Sequence, residues 1–507
     1  MNWIRPVAIA VIAALMLLFL GRLIDFWQQP ELIWGTWKVG EDPDTARTII
    51  ISMLEVLAGV FAIAITVVAI IVQLSATRYT SRVVDLFLAD PINRALLFAY
   101  VIPLIFGFWL ADSITEQTYS PSSMTLFSVV STLAIVLVIP YFHYLFRFLQ
   151  PANIIAKIEA ASALSIRQAR DEPGRARELR SEVKNSIQQL SDISQASVTH
   201  SDISLALDGL ESLKSLTVFY LREKPQLPDA WFSVNRRSRA SDDSPEIVTR
   251  DPLWLEMQIF KRFEIAFTSS LRKFRDITSC AAISLRDIGV AAVRHNDEGC
   301  RDFIIKSFNT LIMYALSERD IRTAVHVFYQ YRLFAAEMLD QSDVLARVAE
   351  YFKYYAHNSQ KRGIFFITDT VAYDLRVLIM ECFEGYPETA ERLLDSFLQL
   401  DQEADSWANE NRLRGIRKSQ AILGAFFIRR GREDLARRIA SDIEDENPGF
   451  LRTVREELFT RTFQEFWEIE DRGVTFYHVG DGDRASMEVF FSWILPNDAG
   501  SGKATAT

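Results

Sequence analysis

"SMLEVLAGVFAIAITVVAIIVQLS" (residues 52–75) decides the fold, because it is apolar and long enough to cross a bilayer yet carries Ser52, Glu55, Thr66 and Gln73. About 20 mostly apolar residues suffice for a spanning helix. On a helix the polar members fall into register. Ser52, Gly59, Thr66 and Gln73 recur every seven residues, and Glu55, Ala62, Ala69 and Ala76 form a second row three positions on. These are the a and d rows of a heptad. Every member is small or polar, while the positions around them are mostly Val, Ile, Leu or Phe.

Such a stripe has two readings. Small residues let membrane helices approach closely, and Thr or Gln can hydrogen-bond across the seam for about 1 kcal/mol. Ionisable groups inside a membrane also mark ion or proton routes. Both readings hold together if helices from several subunits surround an axis.

Working outward, four spans are expected, at about 7–27, 49–74, 95–114 and 124–146. The first could be a cleaved signal beginning at Arg5, but no small-residue cleavage site follows its apolar core, and a retained helix is the expectation. Basic residues set the orientation. Arg78, Arg82 and Arg94 follow the second span, and Arg147, Lys157, Arg167 and Arg170 follow the fourth. The connection "TEQTYSPSSM" (115–124) has neither Lys nor Arg. Both termini are therefore expected in the cytoplasm of a multi-pass bacterial inner-membrane protein. Trp27, Trp34 and Trp37 after the first span suit a membrane interface. At the cytoplasmic ends, Arg78, Tyr79 and Arg82 are expected to anchor the second helix. His143 and Arg147 share a face of the fourth, as interfacial anchors or as a gating pair.

The remainder reads differently. Only eight of the 55 Lys and Arg lie in residues 1–150. The rest of the chain is rich in charge and mostly helical in pattern. A juxtamembrane helical region is expected at 151–224, a flexible Pro-bearing loop at 225–250, a helical cytoplasmic domain at 251–490 and a disordered tail at 491–507. From Asp251-Pro252 a single helix of some 40 residues is expected, because Phe260, Phe263, Phe267, Leu271, Phe274, Ile277 and Ala281 keep 3–4 spacing. Residues 420–451 look like one helical hairpin of the tetratricopeptide sort, and the fold class is all-α: four spanning helices at 1–150, then an irregular stack of helix hairpins.

The chemistry that composition excludes is as informative. Net charge is −10 with no basic block, so nucleic acid is not an expected partner. Cys280, Cys300 and Cys382 are isolated, which suits a reducing compartment. "GSGKAT" near the C-terminus lacks the first Gly and the Ser/Thr of a phosphate loop. His295, His326 and His357 have no carboxylates or cysteines at ligand spacing, so no metal, cofactor or catalytic residue is expected and an enzyme is not. The expected partners are the lipid bilayer, further copies of the chain and a protein held by the cytoplasmic helices. Two functions follow. One is an oligomeric channel- or transport-like pore. The other is a membrane-anchored scaffold or sensor.

The run "DPDTARTIIISMLEVLAGVFAIAITVVAIIVQLSATRYTSRVVDLFL" (42–88) also resembles the signature region of the bacterial membrane proteins called domain of unknown function 2254. Gln73-Leu74, Tyr79 and Arg82 stand where the family closes its helix, and Thr66 where it has a small hydroxyl residue. "YFHYLFRFLQPANII" (141–155) resembles its fourth helix, with His143 and Gln150 matching. The resemblance covers roughly residues 40–155 and implies membrane topology, not activity. Glu55 and Thr80 depart from the family pattern, so any role for Glu55 rests on its own position.

Overall fold

In the computed structural model, residues 4–27, 43–78, 87–88, 90–114, 120–148, 150–236, 247–401, 410–460 and 475–495 are described. The chain divides into two compact units, Met1–Ile158 and Glu159–Thr507.

The first unit is a bundle of α1 (Ile4–Trp27), α2 (Pro43–Arg78), α3 (Pro91–Ser113) and α4 (Pro121–Phe148). α1 and α2 each pack against both α3 and α4. Close approach depends on Gly107 in α3, where an added Cβ would sit 2.4 Å from the Phe127 ring and 2.8 Å from Leu54. Around it lie Ile50, Phe106, Leu110 and Phe127, with the two Phe rings edge-on at 5.9 Å. A second apolar knot joins Leu57, Tyr100 and Ala134, and Phe61 stacks on Tyr100 at 5.1 Å.

Among the described residues, three helices are long and apolar enough to cross a membrane, over Pro43–Leu74, Pro91–Ser113 and Pro121–Arg147. The expected first span does not join them. Among the described residues its counterpart is the shorter apolar stretch Ile12–Gly21 of α1. Three candidate spans among the described residues stand in place of the four expected.

Beyond α5 (Pro151–Asp171) the second unit is a stack of helix pairs. Its elements are α6 (Ala176–Thr199), α7 (Ile203–Glu223), the one-turn α8 (Asp229–Phe232), α9 (Trp254–Ser270), α10 (Arg275–Arg294), α11 (Glu298–Ser317), α12 (Ile321–Ala335), α13 (Ser342–Lys361), α14 (Phe365–Phe383), α15 (Pro387–Leu398), α16 (Glu410–Arg429), α17 (Glu433–Ile443), α18 (Pro448–Thr460) and α19 (Asp481–Ile494). One layer runs α7, α10, α12, α14, α16 and α19, each packed on the next. The other runs α6, α9, α11, α13 and α15.

The pairs turn in one recurrent way. Ser201, Asn296, Arg319, Gly363 and Gly431 take left-handed φ between 55° and 75°. The next N–H reaches the carbonyl five residues back: Asp202 to Ser197, Asp297 to Ala292, Asp320 to Ala315, Ile364 to Ser359 and Arg432 to Phe427, at 2.8–2.9 Å. This is the Schellman closure, which satisfies carbonyls orphaned at a helix end. Asp202, Asp297 and Asp320 then cap the following helix by accepting from Leu205, Cys300 and Thr323 N–H.

Three expectations change here. The single long helix is broken into α9 and α10: Arg272 takes φ +61°, and its N–H donates to Asp320 Oδ2 at 3.0 Å. Apolar spacing persists across the break because both helices bury the same core. The expected loop 225–250 contains α8 and an antiparallel pair, β1 (Ser233–Arg236) and β2 (Ile247–Arg250), with Ser233 opposite Arg250. The expected tail begins inside α19, which reaches Ile494, and continues outside the described residues. The hairpin expected over 420–451 is present as α16 and α17, turning at Gly431.

Candidate functional site

The stripe on α2 faces away from the bundle. Among its described side chains, Ala46, Ile50, Leu57, Ala64 and Val72 are the buried ones. Ser52, Glu55, Gly59, Thr66 and Gln73 are all exposed, as are Ala62 and Ala69. At 3.6 residues per turn the two sets lie about 160° apart. A Cβ placed on Gly59 would meet nothing within 4 Å. Thr66 Oγ1 donates to Ala62 O at 2.7 Å, so its hydroxyl is satisfied within the helix. Beside the stripe runs a row suited to hydrocarbon, Val56, Ile63 and Ile70, each more than half exposed. The outward surface of α2 thus has an apolar row that lipid can cover and a polar row that it covers at a cost. A mid-membrane acid alone costs about 2.5–3.5 kcal/mol on insertion scales.

The anchor residues are less gathered. Arg78 is the last residue of α2, and Tyr79 and Arg82 lie outside the described residues. His143 and Arg147 are exposed on α4. The Arg147 carbonyl accepts from Asn153 Nδ2 at 2.6 Å, which ties the end of α4 to the start of α5.

A cluster that sequence reasoning missed lies nearby. Asp90 caps α3 by accepting from Ile92 N–H at 2.9 Å. It also accepts from Tyr144 OH at 2.8 Å and pairs with Lys157 at 3.5 Å. Buried Asn93 donates to Phe87 O at 2.8 Å and accepts from Tyr141 OH at 3.3 Å. Burial works to raise the Asp90 pKa, but the Tyr144 and Ile92 donors and the Lys157 ammonium outweigh it and hold the carboxyl below its ordinary value. α3, α4 and α5 are pinned together here. Asp90-Pro91 is a legible helix start; its partners, 54 and 67 residues away, leave no local trace.

The second unit holds a buried ionic knot. Lys224 reaches Glu256 at 2.6 Å and Asp297 at 2.5 Å. The Glu256 side chain is 1% exposed, and its Oε2 has no hydrogen-bond partner among the described residues. Burial lifts its pKa to about 7 against the pull of Lys224, and the neighbouring Asp297 carboxylate adds to the rise. The Trp231 and Trp254 rings are 5.6 Å apart, and the Arg180 guanidinium lies 4.5 Å over the Trp254 ring. Further along, Lys418 pairs with Glu457 and lies 4.9 Å over the Tyr477 ring. Burial pushes Asp369 up to about 6 against the hydrogen bond from Tyr477 and the charge of Lys418.

Two hollows of this unit carry charged linings. A groove of about 940 Å³ runs across α7, α10 and α12, with Val218, Phe219, Val290 and Leu333 among its apolar lining. A cleft of about 570 Å³ is lined by Asp369, Arg414, Lys418, Glu457 and Tyr477. Among the described residues, no three His, Cys, Asp or Glu side chains gather to hold a metal ion. His295 ends α10, His326 is buried on α12, and His357 contacts the Leu400 carbonyl from α13 at 3.1 Å.

Three apolar candidate spans among the described residues, with an outward polar stripe on one of them, are the features of a helical membrane protein. Residues 2–203 match the model of the family described as predicted membrane protein (DUF2254), a longer stretch than the 40–155 that carries the motif resemblance. No curated protein matches the chain. Among solved structures, a circular tandem repeat protein with novel repeat topology and enhanced subunit contact surfaces is similar at 15% identity. Its TM-score is 0.38, over 82% of this chain and 99% of that one. A likeness that slight supports no argument.

Proposed function

We propose that the chain is one subunit of an oligomeric, channel- or transport-like assembly in a bacterial inner membrane. The polar stripes of α2 from several copies meet around the axis, and the helical unit lies in the cytoplasm, where it assembles the subunits or gates the path. One observation carries this reading: the whole described stripe is exposed, opposite the face by which α2 packs in its own bundle. A packing seam within the subunit would bury those residues. Left against lipid, an acid at the helix centre costs about 2.5–3.5 kcal/mol, and Glu55, nearer the outer end of its span, costs part of that. Facing other copies or a water-filled axis, it keeps its solvation. The few apolar helices of one chain leave little room for a conduit, so the reading requires several subunits.

The test is ion flux into liposomes carrying the purified protein, beside a Glu55→Ala/Gln73→Ala variant of unchanged oligomer size. Flux in the parent that is lost, or altered in selectivity, in the variant supports a lined path. Absence of flux under voltage, osmotic and pH challenge removes it and leaves the stripe as a subunit contact.

A further inference from the structure

Phe219 near the end of α7 has a cation on its ring from two directions. Arg167 of α5 lies 5.1 Å from the ring centroid and Arg222 of α7 lies 5.2 Å from it. The ring is part of the lining of the groove across α7, α10 and α12. The cations that line this groove, with Arg167 beside it on the Phe219 ring, fall into two groups. Lys214 and Arg286 are committed: Lys214 pairs with Glu211 and Asp287, and Arg286 with Asp287 and Gln330, all within 3.3 Å. Three guanidiniums are not. Arg167 is exposed and makes no ion pair within 4 Å among the described residues. Arg222 is 58% exposed, with Glu223 no nearer than 3.8 Å. Arg294 is 70% exposed and, among the described residues, pairs with Glu337 alone, at 3.9 Å.

We infer that this groove binds an extended acidic peptide segment. Loosely held guanidiniums in a fixed fork geometry are suited to carboxylates, which they grip with paired N–H donors. Between them Val218, Val290 and Leu333 offer an apolar floor, so the segment carries an apolar residue between its acids. Helices packed 8–10 Å apart put α7 and α12 about 16–20 Å apart across α10. That is the reach of five or six residues in extended conformation at about 3.3 Å each. A concave surface built from successive helix pairs is a form that repeat stacks offer to ligands. The site lies in the helical unit alone, and the inference is independent of the pore reading.

The probe is a fluorescein-labelled hexapeptide of alternating Glu and Leu, titrated by anisotropy against the full chain in neutral-lipid nanodiscs at low salt. Its Lys counterpart and a Lys184→Ala variant are the controls. The Glu peptide is expected to bind, at least tenfold more weakly to Arg222→Ala/Arg294→Ala and as tightly to Lys184→Ala. A charge-reversed Arg222→Glu/Arg294→Glu variant is expected to exchange its preference for the Lys peptide, an outcome that loss of folding cannot imitate. Failure of the parent to bind, equal binding by the double variant, or equal binding of both peptides overturns the inference. So does binding of anionic vesicles through Arg222 and Arg294 without binding of the peptide, which would make the ligand a lipid headgroup.

Discussion

Replacing Glu256 with glutamine tests the buried ionic knot, because it changes one proton-binding group and almost no volume. The Glu256 carboxyl is 1% exposed and shares the Lys224 ammonium with Asp297. Its pKa rises from an ordinary 4.5 to about 7, through burial first. A carboxyl whose folded pKa is raised contributes stability in full below its unfolded value, and that contribution is lost as pH rises through the folded one. The window is therefore pH 4.5 to about 7. At 1.36 kcal/mol per unit the whole contribution is roughly 3 kcal/mol. The amide that replaces the carboxyl takes up no proton, and Lys224 keeps Asp297 at 2.5 Å. Hydrogen exchange of the α9 amides, corrected for intrinsic rates, reads the local opening free energy of parent and Glu256→Gln in the full chain. Between about pH 5 and 8 the parent is expected to fall by about 2–3 kcal/mol relative to the variant. Two profiles that run parallel across that range refute the account of the knot.

Four other outcomes follow. Gly107→Val, which would drive a branched side chain into Phe127 and Leu54, is expected to cost about 1–3 kcal/mol or more, seen as a lower melting temperature in detergent. Gly59→Leu, with open space around it, is expected to leave that temperature unchanged and to alter oligomer mass measured by light scattering; an unchanged mass would remove the α2 face as a subunit contact. Asp90→Asn is expected to lose about 1 kcal/mol at pH 7. Because the Asp90 pKa is depressed, the difference from the parent should fade as pH drops below about 4, a trend melting curves at about pH 7 and 3.5 would show. Asp320→Ala removes both the α12 cap and the acceptor for Arg272 N–H, and urea unfolding should show a loss of about 1–2 kcal/mol.

The residues legible in the sequence are those whose meaning is local. α2 declares itself by apolar length, and its stripe by a seven-residue recurrence along one helix. Which way the stripe faces is not legible, since that depends on Leu57 and Ala64 finding α3 and α4. The α9–α10 break is hidden for a related reason: 3–4 spacing reports burial, and both helices bury one face in a shared core. Arg272 at φ +61° carries no glycine to announce it. The recurrent turns leave a faint mark, Ser-Asp, Asn-Asp and Arg-Asp at 201–202, 296–297 and 319–320. They differ in the residue that takes the left-handed conformation, so no single pattern repeats. The Asp90 cluster and the Lys224 knot join groups tens of residues apart, beyond any window of periodicity.

The layered order of the helical unit has a mechanical consequence. Each helix of the α7–α10–α12–α14–α16 layer packs on the next in line, and stability in such an array is close to a sum of neighbour terms. A load applied at its two ends therefore passes through every pair in series. Under tension such a stack is expected to yield pair by pair, not all at once.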